Sequence, residues 1–458
     1  GTEDGNLQVT TDGGKSWTNT VRNIQGLPAC TWVSSIMPSQ HVRNRVYASF
    51  DGHATGDLQS YVFVSEDLGA TWARITQGDI NSFVHKVIED PVNPNLLFAG
   101  TEMGLFMSID RGQNWVQHKY GVPNTPVRDL AIHPITHDLI MGTHGRGIII
   151  LDDLSPFRAL TEDLLKQDLV VLPARKTYVD PSPLGAGFPS AGGFTGPNPD
   201  NGARIWYYLK DRVSSGDVTI TLSNTAGVEI ASIPGTKRKG INMISWNMRG
   251  KPPRVAAGAK ADFSGFFGPV VPPGKYLITI ATPAGNLTDT LELFLPTDKG
   301  HTHVDMQEQV QLVQRIFTLQ EDMAYLSFII RQHRAKVETM IGKSGISSGE
   351  LRKLKAFDSE MESVHQLLSA SKETTAITGE EKIREKLSSL YLSVSGYAGR
   401  PTESQFQRFD ALNAEYQKAL KSYRDTFDAQ QKSISGLLKK FATEELKEAS
   451  RVEFDAIK

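Results

Sequence analysis

The chain has 458 residues, 39% hydrophobic and 22% charged, enough for about three domains of ~150 residues, each with its own core. Its formal net charge of −2 excludes a broad attraction to nucleic acid or anionic membrane, and no run of about twenty apolar residues offers a membrane span. The single cysteine, Cys30, excludes an internal disulfide and reads as a small buried residue in the first third of the chain.

One short phrase recurs in the first third. Thr10 to Trp17, Ser65 to Trp72 and Ser108 to Trp115 all fit [ST]-x-D-x-G-x-x-W, with Asp12, Gly14 and Trp17, then Asp67, Gly69 and Trp72, then Asp110, Gly112 and Trp115. An Asp shortly before a Gly suits a tight turn, because the carboxylate accepts backbone N–H groups and glycine takes positive φ. The tryptophan returns on the next strand as an apolar plug. These aspartates therefore read as structural rather than catalytic. A second phrase, Gly-Thr-Glu/His, precedes the turns at Gly1–Gly5 and Gly100–Gly104 and opens a further copy at Gly142–Gly147.

Short alternating strands at a period of roughly 45–55 residues predict four-stranded blades. One blade reads Thr31–Met37, Arg45–Phe50, Tyr61–Val64 and Trp72–Ile75; the next reads Val84–Glu89, Leu96–Ala99, Leu105–Ile109 and Trp115–His118. On this register Gly1 falls at the end of a second blade strand, and about three and a half blades are present where a propeller typically closes with four or more. The expected partners are therefore upstream blades in cis or another chain that completes the ring.

After Leu151-Asp152-Asp153-Leu154 a short helix is expected, and residues 159–202 read as a Gly/Pro-rich linker. Residues 203–297 alternate as a second β unit, best read as an Ig-like sandwich without a disulfide, with Trp206 and Trp246 as core plugs. Phe263, Phe266 and Phe267 are candidate carbohydrate contacts there, although a spacer role is the simpler reading, and Asn286-Leu287-Thr288 is a glycosylation sequon. From residue 302 to 458 the period is helical. Leu351, Leu354, Phe357, Met361, Val364 and Leu368 form one stripe, and a later helix runs to about Gln431, with Ser435–Ala449 either extending or following it. The expected fold is thus multidomain: a partial all-β propeller over 1–158, an Ig-like sandwich, and a C-terminal α-helical bundle of about four helices.

The repeated turn resembles the Asp-box (BNR repeat) of sialidase-like and sortilin-type propellers. The run from Gly142 to Leu154 is similar to the end of the propeller in bacterial proteins often labelled glycosyl hydrolase. Those proteins continue, as this chain does, into Ig-like and helical regions. The resemblance implies an extracytoplasmic protein, secreted, periplasmic or on the cell surface, of bacterial kind, and either protein or glycan recognition or sugar chemistry. A eukaryotic sortilin ectodomain would carry many disulfides, and this chain does not.

Ligands of propellers bind at the face carrying the strand two-to-three loops and the interblade loops, opposite the Asp-box turns. That places Glu3, Asp4, His53, Asp57, Asp79, Glu102, His144 and Arg146 on the candidate ligand face. The same turns also serve simply as strand junctions. The preferred expectation is an extracytoplasmic binding or scaffold protein. The alternative is a glycoside hydrolase of xyloglucanase-like kind, which needs two carboxyls about 5–5.5 or 6.5–9.5 Å apart; Glu3, Asp57, Asp79 and Glu102 are available. A sialidase would need an arginine cluster, and only Arg146 lies in a suitable loop. No HExxH, paired CxxC, Walker loop or GxSxG occurs. His301 and His303 lack an evident third ligand, so no metal and no cofactor is expected.

Overall fold

The computed structural model describes residues 1–179, 202–258, 262–296, 300–370, 381–397, 399–441 and 443–456. Half of the expected linker, residues 180–201 with its Gly/Pro-rich stretch, lies outside the described residues; the described half is not all linker, since Leu169–Leu172 and Thr177–Tyr178 are strands. By packing, the chain divides into two units. One comprises Gly1–Arg175, Ile205–Gly216 and Thr236–Ile244; the other comprises Lys176–Arg204, Asp217–Gly235 and Ser245–Lys458.

The first unit is a series of antiparallel meanders. A hairpin of β1 (Gln8–Val9) and β2 (Thr18–Asn19) is followed by β3 (Trp32–Pro38), β4 (Val46–Asp51), β5 (Tyr61–Ser65) and β6 (Ala73–Arg74), paired in chain order. The next meander is β7 (Val84–Glu89), β8 (Leu97–Thr101), β9 (Gly104–Ser108) and β10 (Val116–His118). A three-stranded one follows: β11 (Val127–Ile132), β12 (Leu139–Thr143) and β13 (Ile148–Leu151). β3 packs beside β7, and β7 beside β11, so the first strand of each meander faces its neighbours. This is the arrangement of blades in a partial propeller. Between the blades lie fully buried side chains such as Tyr47, Val62, Val84, Val87, Leu97 and Ala99.

Each repeated turn closes on itself. In the third, Asp110 Oδ1 accepts from the Ser108 hydroxyl at 2.7 Å and from Asn114 N–H at 2.9 Å, and Gly112 N–H donates to Ser108 Oγ at 2.8 Å. The same bonds form around Asp67, and in the first turn Ser16, Lys15 and Thr10 hold the Asp12 carboxyl at about 2. Burial alone would raise the Asp110 carboxyl, but its hydrogen bonds outweigh that and hold it below the usual range. Asp110→Ala should therefore cost about 1–2 kcal/mol of stability, read as a lowered urea midpoint of the blade unit; an unchanged midpoint would show the turn to be held by its glycine alone.

Two expectations need correction. The turn tryptophans are not equivalent plugs. Trp115 is 5% exposed and donates Nε1–H to Ile75 O at 2.8 Å on the preceding blade, whereas Trp17 is 59% exposed. Trp17 and Trp72 instead donate Nε1–H within their own turns, to Gly14 O at 3.2 Å and Gly69 O at 3.1 Å. Cys30 is exposed rather than buried, at φ +59° in the turn before β3, with the backbone of Gly5 packed closely against it.

The unit ends in α1 (Ser155–Arg158) and a three-stranded sheet in which β14 (Leu169–Leu172) pairs with β16 (Ala203–Leu209), and β16 with β19 (Gly240–Trp246). Its Leu172, Trp206 and Tyr208 share a core with Leu130, Leu139, Met141 and Phe157 of the last blade region.

In the second unit a five-stranded sheet runs β15 (Thr177–Tyr178), β21 (Gly285–Phe294), β20 (Gly274–Thr282), β17 (Thr219–Asn224) and β18 (Glu229–Pro234), with β15 parallel to β21. The strands expected over 203–297 thus divide between two sheets, β16 and β19 joining β14. The helical region comprises α2 (His303–Ile341), α3 (Ser348–Leu368), α4 (Ile383–Ser395), α5 (Glu403–Lys440) and the short α6 (Arg451–Asp455). Thr302, Ser347 and Thr402 start α2, α3 and α5 with capping boxes closed by Asp305, Glu350 and Gln405. α5 continues past Gln431 to Lys440, so the first part of the segment expected over Ser435–Ala449 to extend or follow this helix extends it, with Ile434 and Leu438 carrying on the buried stripe beyond Phe427. No helix among the described residues is long and apolar enough to cross a membrane.

Candidate functional site

The first strands of the three blades share a defect. Register slips by one residue between Val33 and Ser35 in β3, between Val84 and Lys86 in β7, and between Val127 and Asp129 in β11. The extra residues are Ser34, His85 and Arg128. A bulge leaves its extra residue outside the ladder and re-aims the side chain. Here the three residues occupy equivalent positions on successive blades. Ser34 donates to Val84 O of the next blade at 2.9 Å, and His85 and Arg128 converge on one carboxylate.

That carboxylate is Glu102, in the two-residue turn between β8 and β9. Thr101 Oγ1 donates to Gly104 O at 2.8 Å and accepts from Met103 N–H, and Gly104 takes φ +119°. Glu102 Oε2 lies 3.0 Å from His85 Nε2 and 3.1 Å from Arg128 Nη2. On the other side of the His85 ring is Asp51, at the end of β4. Its side chain is fully buried. Asp51 Oδ1 accepts from His53 N–H at 2.9 Å and lies 2.7 Å from His53 Nδ1. Asp51 Oδ2 lies 3.7 Å from His85 Nδ1 and has no hydrogen-bond partner. Phe83 completes the group, stacked under the His53 ring at 4.9 Å and edge-on to His85 at 5.1 Å. Beside the cluster Lys86 Nζ pairs with Asp129 Oδ1 at 2.7 Å.

Burial pushes the His85 imidazole below its usual value, against the upward pull of Glu102 and Asp51. A neutral imidazole carries one N–H and faces two carboxylates. When Nε2 donates to Glu102, Nδ1 presents a lone pair to Asp51 Oδ2. Asp51 Oδ2 is therefore left without a donor, while Oδ1 is held by His53.

Of the residues predicted for the ligand face, Glu102 and His53 enter this cluster and the others do not. Glu3 is exposed, and Asp4 accepts from Asn6 Nδ2 at 2.8 Å within its own turn. Asp57 is held in its loop by the Tyr61 hydroxyl at 2.8 Å and Gln59 N–H at 3.1 Å. Asp79 accepts from Trp115 N–H at 3.3 Å, beside the third repeated turn. His144 is fixed through its backbone, its carbonyl accepting from the Thr125 hydroxyl at 3.1 Å, and Arg146 is exposed in the tight turn that Thr143 closes on Gly147. Sequence reasoning missed Asp51, His85 and Arg128. A signal was present: aligned by blade, Val33-Ser34-Ser35, Val84-His85-Lys86 and Val127-Arg128-Asp129 each place two polar residues after a valine in an otherwise apolar strand. Among the described residues no group of three or more His, Cys, Asp or Glu side chains could hold a metal ion.

No protein-family model matches the chain, and no curated protein matches it. Similar solved structures include a GH74 enzyme from Niastella koreensis, 15% identical over 63% of this chain and 42% of that one, with a TM-score of 0.27. A GH74 xyloglucanase from Xanthomonas campestris is 11% identical over 68% of this chain and 45% of that one, with a TM-score of 0.28. The extracellular domain of a candidate one-component system from B. thetaiotaomicron is 12% identical over 61% and 39%, with a TM-score of 0.18. The chain spans about two-fifths of the length of these structures.

Proposed function

We propose that the chain is part of an extracytoplasmic recognition protein that binds a hydroxyl-rich ligand, a glycan, at the row of bulged residues on the first blade strands. The observation that carries this reading is Glu102 held between His85 and Arg128. It offers an acceptor beside the donors Arg128 and Lys86, which are 45% and 35% exposed, and beside the His53 ring stacked on Phe83. Interleaved donors and acceptors with nearly balanced charge suit sugar hydroxyls better than a strongly charged partner. A flat ring face adds an apolar contact for a sugar's C–H surface.

The alternative, two-carboxylate glycoside hydrolysis, draws less support from this geometry. Asp51 and Glu102 face each other through the His85 ring rather than across an opening. Asp51 is fully buried, and Glu102 is already paired with a guanidinium. A general acid and its partner need the scissile bond between them.

The test is equilibrium binding of neutral polysaccharides, xyloglucan and mixed-linkage β-glucan among them, with a reducing-sugar assay run in parallel. The expected result is saturable binding without sugar release, weakened about tenfold or more by Arg128→Met, a loss of one charge-assisted contact. Sugar release that Glu102→Gln abolishes would instead establish the hydrolase reading.

A further inference from the structure

The second unit holds a cavity that the bulge row does not touch. It opens between the β17–β18 end of the five-stranded sheet and the first half of α2, with a volume of about 440 Å³. Val310, Val313 and Phe317 line it from the helix, one residue per turn and so on one face, and Ile230, Val270 and Tyr276 line it from the sheet side. Val313 and Tyr276 are each 5% exposed and form the floor fixed by packing, while Ile230, Val270, Val310 and Phe317 are half-buried around it. Tyr276 is fixed in turn by its hydroxyl bond to Pro272 O and by edge contact with Trp246 at 5.8 Å.

Apart from Glu229 and Lys251, the polar residues lining this cavity are the uncharged Asn224, Gln309, Gln314 and Ser395. At its rim Glu229 and Lys251 neutralise each other at 3.0 Å. Gln309 spends its amide N–H groups on Val394 O and Tyr397 O, holding the end of α4 against α2. Ser395, at the last position of α4, is 5% exposed and lines the cavity, and its hydroxyl makes no hydrogen bond to another described residue. A hydroxyl of the lining that is not tied to the protein can bond a ligand oxygen in place of water. Mostly apolar cavities of this volume with one or two placed polar groups are the usual form of small-molecule sites.

We propose that this cavity binds a small uncharged molecule, largely apolar and carrying one hydroxyl or carbonyl, with the apolar body against Val310, Val313 and Phe317 and the oxygen at Ser395. A charged ligand is disfavoured because the only charges in the lining already form a pair. The site is independent of glycan recognition at the bulge row, and neither reading depends on the other.

The probes are 1-naphthol and naphthalene, which share a ring system and differ by one hydroxyl, titrated into the whole chain with fluorescence detection. Expected are saturable binding at one site per chain and tighter binding of 1-naphthol. Ser395→Ala should weaken 1-naphthol roughly 3- to 10-fold, the worth of one hydrogen bond, and leave naphthalene unchanged. Val310→Trp should fill the cavity and abolish both, with melting temperature and circular dichroism as controls; should it fail to fold, Ile230→Trp fills the cavity from the sheet side. Absence of saturable binding would overturn the proposal, as would binding that survives the filled cavity. Equal loss of both probes in Ser395→Ala would overturn the role given to the hydroxyl.

Discussion

Arg158→Ala should destabilise the blade unit by about 3–5 kcal/mol, the usual cost of stripping one partner from a buried ion pair. Asp90 is 0% exposed, in the residue that follows β7, and Arg158 closes α1. The guanidinium grips the carboxylate with Nε at 2.9 Å from Oδ1 and Nη2 at 2.7 Å from Oδ2, while Nη1 reaches His137 Nδ1 at 2.7 Å. Asp90 also accepts from Val92 and Asn93 N–H at 2.9 and 2.8 Å, so it cannot swing out to water without opening that turn. Alanine at 158 leaves a charge buried with backbone donors only. The pair itself need not stabilise the fold, because desolvation offsets much of its attraction. Hence Asp90→Asn in the Arg158→Ala background should recover a substantial part of the loss. The measurement is urea unfolding followed by near-ultraviolet circular dichroism, for both single variants and the double variant. A loss under about 1 kcal/mol for Arg158→Ala would show that water reaches Asp90 and that the pair is not buried in solution.

How much of this was legible in the sequence depends on the range of the interactions involved. The repeated turns are legible because every hydrogen bond to the Asp12, Asp67 and Asp110 carboxylates spans four residues or fewer, so spacing alone encodes them. The helical stripes are legible for the same reason, Leu354, Phe357, Met361 and Val364 being buried at one face of α3. The cluster at Glu102 was not. Strict alternation assigns His85 and Lys86 to opposite faces of a regular strand, and only the bulge removes His85 from that count. Its partners Asp51, Glu102 and Arg128 come from three separate strands or turns, and nothing local to any of them announces the meeting. The fate of β16 and β19 was hidden likewise. Arg204 to Leu209 reads as a strand, but its pairing with β14 joins segments more than thirty residues apart. Trp17 and Trp115 stand in the same motif, and their exposures differ because the surface that buries Trp115 belongs to Ile75 on another blade.

The helical unit should lose stability between pH 6.5 and 4, and His333 should account for a share on the order of 3 kcal/mol. The ring is 0% exposed in the last quarter of α2, stacked on Phe427 at 4.8 Å and 5°, with Tyr423 at 6.3 Å. Burial pushes its imidazole down to about 4, and Nδ1 has no hydrogen-bond partner. The sign follows directly. At pH 7 both folded and unfolded forms are neutral, and nothing is lost. As the pH falls through 6.5 the unfolded chain binds a proton that the folded chain refuses, so unfolding becomes easier by about 1.4 kcal/mol per pH unit. The loss is complete once the pH passes below the folded value. His365, also pushed down by burial, acts in the same direction and is common to both proteins compared. His333→Phe keeps an aromatic ring beside Phe427 and gives up only a long 3.4 Å contact with Lys447 O. The variant should match the parent within about 1 kcal/mol at pH 7 and exceed it by about 2–3 kcal/mol at pH 4.5. Denaturant unfolding followed at 222 nm at the two pH values measures both quantities. Equal acid losses in the two proteins would mean that His333 is protonated within the folded bundle, and that its ring therefore has a route to water or to a carboxylate such as Glu448.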